Sequence, residues 1–150
     1  MNVKYMHTNI IAKNWERLAQ FYQEVFGCEP VPPKRDQSGT WLEHGTGVSG
    51  AHLRGMHLRM PGWGDKGPTL EIYQYDEVQE KHSPPLANRQ GFGHIAFLVD
   101  NVASIREQVL AHGGKDLGQI SETDVPNVGH LTFIYMTDPE ENIIEIQNWS

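Results

Sequence analysis

HTNIIAKNWERLAQFYQEVFGC, residues 7–28, has a counterpart in HIAFLVDNVASIREQVLAHGGK, residues 94–115. Each stretch opens on a histidine, His7 or His94. Seven residues later comes an asparagine, Asn14 or Asn101, and twenty residues later a glycine, Gly27 or Gly114. Asparagine suits a helix N-cap, where its side chain accepts a bond from a free backbone N–H. Glycine suits the stop, where the chain often turns left-handed. Between them Trp15, Leu18, Ala19, Tyr22, Val25 and Phe26 recur at three-four spacing, and Val102, Ile105 and Val109 do the same. The spacing predicts helices over 15–26 and 102–112, each following a short apolar strand. Strand, cap, stop and histidine fall in register, so the chain reads as one unit present twice.

Each half continues through further strands. In the first they are expected at 29–35 and 52–60, closing on TLEIYQY. In the second they are expected at 116–120 and 130–136, closing on NIIEIQ. Both closing strands follow a proline-containing turn. The fold class is therefore α+β, built from two tandem βαβββ modules. The first module spans 1–82, SPPLANRQGFG at 83–93 is the linker, and the second module spans 94–150, the whole making one compact domain. The glycine-rich stretch 37–51 reads as an exposed loop lengthening the first module.

Four residues repeat with the modules: His7 and Glu71 in the first, His94 and Glu145 in the second. All four sit in apolar strand-like segments, where a charged or imidazole side chain is costly without a partner. Side chains alternate across a strand. Leu70 and Ile72 therefore share one face, and Glu71, Tyr73 and Tyr75 the other. Ile144 and Ile146 oppose Glu145 and Gln147. His94 lies opposite Ile95, Phe97 and Val99, and His7 and Asn9 lie opposite Thr8 and Ile10. The apolar faces would pack on the helices, while the other faces would line a concavity floored by two histidines and two glutamates. One divalent metal ion could serve as partner to all four. By parity Asn9, Tyr73 and Tyr75 are candidate substrate-binding residues, and His57 joins them. The remaining histidines, at 44, 52, 82, 112 and 130, flank loops, the linker, a helix end or a strand start, and are assigned no part in the metal site.

Composition bounds the partners. The chain has 150 residues, 38% apolar and 21% charged, with a net charge of −7. That is ordinary for a globular protein. The acidic balance gives no electrostatic case for nucleic acid or an anionic membrane. The single cysteine, Cys28, excludes an intramolecular disulfide. No stretch has the length and apolarity of a bilayer span, and MNVKYMHTNI lacks the apolar run of a signal peptide, so cytoplasmic residence is expected.

At these residues the chain resembles the vicinal oxygen chelate superfamily, the glyoxalase/bleomycin resistance/dioxygenase fold. That family folds as paired βαβββ modules forming a curved half-barrel sheet around a metal site. Within it the sequence is most similar to glyoxalase I. That enzyme's His/Glu/His/Glu ligand order matches His7 in MHTNI, Glu71 in TLEIY, His94 in GHIAFLVDN and Glu145 in IIEIQ. Phe21-Tyr22 and Gly27 match the end of the family's first helix. The final turn departs from it: the usual Asp-Pro-Asp-Gly is Asp138-Pro139-Glu140-Glu141 here. The positions that grip glutathione have no match.

The resemblance implies a metal-dependent, glyoxalase I-like lyase or isomerase. Four protein ligands leave two adjacent octahedral sites, which suit a small substrate with vicinal oxygens and its metal-stabilised enediolate. The metal acts as a Lewis acid, and a ligand carboxylate is the natural base. Glu145 is the first choice and Glu71 the second. The ligand set admits Zn, Ni, Co, Mn or Fe. Alternatives within the superfamily are an extradiol-type dioxygenase or an acyl-CoA epimerase. A further alternative is a non-catalytic small-molecule binding or resistance protein. A homodimer is implied by analogy, and the linker length is compatible with modules pairing within one chain or between two.

Overall fold

The computed structural model describes all residues, 1–150, and divides into two compact units, Met1–Glu80 and Lys81–Ser150. In the first unit, strand β1 (His7–Ile11) leads into helix α1 (Trp15–Phe26). Strand β2 (Glu29–Ser38), helix α2 (Thr40–Thr46), strand β3 (His52–Arg59) and strand β4 (Thr69–Tyr75) follow. The sheet order is β1-β4-β3-β2, with β1 parallel to β4 and the other pairs antiparallel. The helical crossover between β1 and the later strands is what allows that one parallel pairing.

Helix α1 has the bounds the spacing predicts. Asn14 Oδ1 accepts from the Arg17 amide at 3.0 Å, and Gly27 closes the helix at φ 68°. Leu18, Ala19, Phe21, Tyr22 and Val25 are buried on it. Leu58, Leu70 and Ile72 are equally buried on β3 and β4. Each such side chain contributes about 1.5–3 kcal/mol of apolar burial, so this seam is what holds the sheet's other face in place.

The stretch 37–51 is not simply a loop. Residues 37 and 38 complete β2, and α2 follows, with Leu42 buried against Ala51, Leu53, Tyr73 and Tyr75. The glycines at 39 and 47 flank a helix of only seven residues, too short for an apolar stripe to show in the sequence. Within β2 the ladder to β3 shifts between Val31 and Arg35, where Pro32 and Pro33 supply no N–H.

In the second unit, residues 81–93 form neither helix nor strand. Strand β5 (Ile95–Leu98), helix α3 (Val102–Ala111), strand β6 (Lys115–Asp116), strand β7 (Ser121–Val125), strand β8 (Gly129–Thr137) and strand β9 (Ile143–Trp149) follow. The sheet order is β5-β9-β8-β6, with β7 also paired to β8 and β5 parallel to β9. Phe97, Val102, Val109, Ile134, Met136, Ile144 and Ile146 form its core.

The unit departs from the expected strands in two places. The strand expected over 116–120 shrinks to the two residues of β6, and β7 forms a hairpin with β8 over a stretch to which the sequence assigned no element. SETDV is polar and almost wholly exposed, so it carries no alternating pattern to read. Asn101 caps α3 as expected, accepting from the Ser104 amide at 2.8 Å. The left-handed residue at its end is Gly113, at φ 92°. Gly114 is glycine for another reason: a Cβ there would lie 2.4 Å from Val109 Cγ1 and 2.5 Å from the Thr137 carbonyl.

Candidate functional site

Strand register builds the first half-site. Asn9 on β1 pairs with Glu71 on β4, and His57 on β3 pairs with Glu71 from the other side. The three side chains therefore form one row across the sheet, on the face opposite Leu70 and Ile72. His7 stands one step back along β1, and Tyr73 one step on along β4. Glu71 is buried, 8% exposed, and its carboxylate is the hub. Oε1 lies 3.3 Å from His7 Nε2 and accepts from Asn9 Nδ2 at 3.3 Å. Oε2 lies 2.9 Å from His57 Nε2 and accepts from the Tyr73 hydroxyl at 3.0 Å.

Tyr73 and His57 also touch each other, hydroxyl to Nε2 at 2.8 Å. The Tyr73 ring reaches this position across Gly55, its partner on β3. A Cβ at Gly55 would lie 2.5 Å from Tyr73 Cδ1 and 2.1 Å from the Ile72 carbonyl. Burial holds His57 below its ordinary 6.5, with Arg35 and His7 pushing the same way against the pull of Glu71. Burial first, and the Glu71 charge second, push the Tyr73 hydroxyl well above the usual phenol value. Both groups therefore face Glu71 as neutral donors at pH 7.

The second half-site has the same register and fewer donors. Glu145 on β9 pairs with Ala96 on β5 and Tyr135 on β8, the positions that Asn9 and His57 hold in the first unit. Glu145 Oε2 lies 2.9 Å from His94 Nε2. No other side chain pairs with that carboxylate. His94 itself precedes β5 by one residue rather than lying within it. The Tyr135 ring packs on His94, with centroids 4.6 Å apart.

Residues 4–146 match the family model of the Glyoxalase/Bleomycin resistance protein/Dioxygenase superfamily. The chain belongs to this superfamily. Among solved structures, a glyoxalase family protein from Bacillus cereus is similar at a TM-score of 0.83 and 14% identity, covering 99% of this chain and 95% of that one. A glyoxalase/bleomycin resistance protein/dioxygenase family enzyme from Burkholderia phytofirmans PsJN gives 0.60 and 17%, covering 96% and 97%. The fosfomycin resistance protein FosX from Listeria monocytogenes, complexed with Mn(II) and sulfate, gives 0.55 and 16%, covering 100% and 95%. At such identities the likeness is one of fold. No curated protein matches the chain.

The donor chemistry of this superfamily member suits a divalent ion. Two donors bound at right angles to one ion at ~2.1 Å stand about 3 Å apart. The His–Glu separations of 3.3 and 2.9 Å fall around that spacing. Within neither unit do three His, Cys, Asp or Glu side chains converge as a metal-holding group; the second unit offers the pair His94–Glu145, and the first offers His7–Glu71 and, at 2.9 Å, His57–Glu71.

Of the predicted pocket residues, Asn9, His57 and Tyr73 gather on Glu71. Tyr75 lies further along β4 and packs against the Leu42 cluster under α2. Two neighbours of the half-sites escaped the sequence reading. Tyr135 could have been found by carrying the repeat one strand further, since it holds the place of His57. Arg35, close enough to influence both His57 and Tyr73, follows two prolines that break the strand pattern and left no signal. Cys28 is buried and its thiol is pushed up to about 12 by that burial, which removes it as a nucleophile.

Proposed function

We propose that this chain is a metal-dependent lyase or isomerase of the glyoxalase I type, with His7, Glu71, His94 and Glu145 as the ligands of one divalent ion. The observation that supports this most is the pairing of each histidine Nε2 with a glutamate oxygen at the spacing of neighbouring metal donors. The bound ion would supply Lewis acidity at two vicinal substrate oxygens. Zn, Ni, Co, Mn and Fe all suit two imidazoles and two carboxylates.

The two carboxylates divide the work. Glu71 is held by four neighbours, whereas Glu145 has only His94. A base must swing toward a carbon-bound proton and return it to the adjacent carbon. Glu145 has the freedom to do so, and Glu71 is the anchored ligand. Small-molecule chemistry goes with the same reading, and a homodimer goes with the family resemblance.

A second reading has one observation in its favour. If the bonds from His57, Tyr73 and Asn9 fully occupy Glu71, then His7, His94 and Glu145 remain. That is the two-histidine, one-carboxylate set of non-haem oxygenases, with three open positions. Metal analysis and Glu71→Gln separate the two readings. In the four-ligand site, protein purified without added metal carries near-stoichiometric ion. His94→Ala loses most of it, and Glu71→Gln loses a large share. In the three-ligand site Glu71→Gln keeps the ion. A substrate screen on metal-loaded protein, starting with the methylglyoxal–glutathione adduct, then tests the reaction. Unchanged metal content in His94→Ala would refute both.

A further inference from the structure

The internal repeat places the same backbone around both glutamates, yet surrounds them differently. Beside Glu145 stand Ala96, which has no donor, and Tyr135, whose ring lies on His94. Beside Glu71 stand Asn9 and His57, and Tyr73 reaches back from two residues along β4. We propose that His57 and Tyr73 are positioning residues for Glu71: together they hold Oε2 and so aim Oε1 at the ion that His7 shares. This rests on the four-ligand reading above and adds two residues to it.

His57 Nε2 stands as close to Glu71 as His94 Nε2 stands to Glu145, 2.9 Å in each case, and it is the oxygen it meets that sets its role apart. His57 Nε2 meets Oε2, the oxygen turned away from His7, and the same nitrogen is covered by the Tyr73 hydroxyl at 2.8 Å. His57 Nδ1 lies 3.4 Å from Thr69 Oγ1, a hydroxyl able to donate to it. With Nδ1 accepting, the ring proton sits on Nε2 and points at the carboxylate. The Tyr73 O–H points at the same oxygen, and its ring is seated against the bare backbone of Gly55. A carboxylate with one oxygen held by two donors has lost its side-chain rotation before any ion arrives. The entropy of ordering is then already spent, and Oε1, which Asn9 Nδ2 reaches at 3.3 Å, stays within reach of His7 Nε2. Glu145 has His94 Nε2 at 2.9 Å from Oε2 and no second side-chain donor on that oxygen.

The test uses the full chain stripped of metal and titrated with Co(II), read as a dissociation constant and as the visible absorption of the bound ion. Tyr73→Phe keeps the ring and removes one donor; His57→Gln removes the other. Each is expected to weaken Co(II) binding by about 10- to 100-fold and to shift the absorption band, with the stoichiometry still one. Tyr135→Phe, the mirrored substitution in the second unit, is expected to leave the dissociation constant within about twofold, because its hydroxyl holds no oxygen of Glu145. Thermal midpoints of all three confirm that folded protein is being compared. The proposal is overturned if Tyr73→Phe and His57→Gln bind Co(II) as the parent does. It is equally overturned if His57→Gln abolishes binding as completely as His94→Ala, which would make His57 a ligand. A folded parent that binds no Co(II) at all would instead remove the metal reading itself, and the clamp with it.

Discussion

Both ring nitrogens of His52 face carboxylates: Nε2 lies 2.6 Å from Asp36 Oδ1 and Nδ1 lies 2.8 Å from Asp76 Oδ2. Arg54 completes the group, reaching Asp76 at 2.8 Å. An imidazole can donate from both nitrogens only as the cation. The bonds to Asp36, and then to Asp76, accordingly raise His52 above its ordinary 6.5. Asp76 is lowered from 3.8, by Arg54 first and His52 second. The signs fix a pH window. The His52 contribution is fully present below 6.5 and fades as pH rises through the elevated folded value. The Asp76 contribution is present above 3.8 and fades as pH falls through the depressed one. The network therefore supports the fold most between about pH 4 and 6.5. Proton NMR titration of the His52 ring is expected to give a midpoint above that of a free histidine, and Asp36→Asn is expected to lower it. A midpoint at or below 6.5 in the parent would show that the ring is not held as the cation.

Turns decide how β9, and with it Glu145, is delivered. Asp138, 1% exposed, gathers the turn after β8: its carboxylate accepts from the Glu140 amide at 2.8 Å, the Asn142 amide at 3.0 Å and Asn142 Nδ2 at 2.8 Å. Lys81 donates to the Glu140 carbonyl and to Asn142 Oδ1 from outside. Glu141, at the place of the glycine in the family turn that the sequence resembles, sits at φ 66°. A side chain in that left-handed region costs roughly 1–2 kcal/mol, partly offset by the lower unfolded-state entropy of a non-glycine residue. Glu141→Gly is expected to stabilise the protein by about 0.5–1 kcal/mol in urea unfolding. A lower urea midpoint would mean that the Glu141 side chain contributes more than its backbone conformation costs. The departure from the family's turn sequence was visible from the start.

At the scale of the whole chain, the duplicated βα pattern was legible because it rests on strong local signals: an asparagine cap, an apolar stripe and a glycine stop, repeated in register. The half-sites were legible because strand parity is strict, and it put Asn9, Glu71 and Tyr73 on one face before any coordinates. What escaped was set by short or polar elements. Helix α2 is seven residues long, β7 is a polar hairpin arm, and Arg35 is reached only after a proline pair. Tyr75 shares a face with Glu71 and packs, as Tyr73 does, against the Leu42 cluster, but of the two tyrosines Tyr73 is the one that bonds Glu71. If one ion draws donors from both modules, its binding is linked to the folding of each. An ion present at 100 times its dissociation constant adds about 2.7 kcal/mol to the stability of the native state. For a chain of this length that corresponds to a rise of about 5–10 °C in the unfolding midpoint. Calorimetric scans of metal-free protein with increasing Mn(II) or Zn(II) are expected to show that rise, saturating at one ion per site. In His94→Ala and in Glu71→Gln the rise is expected to shrink to a few degrees, although the two residues lie in different modules. A full rise in either variant would show that its module does not contribute to the ion, whatever the repeat in the sequence implies.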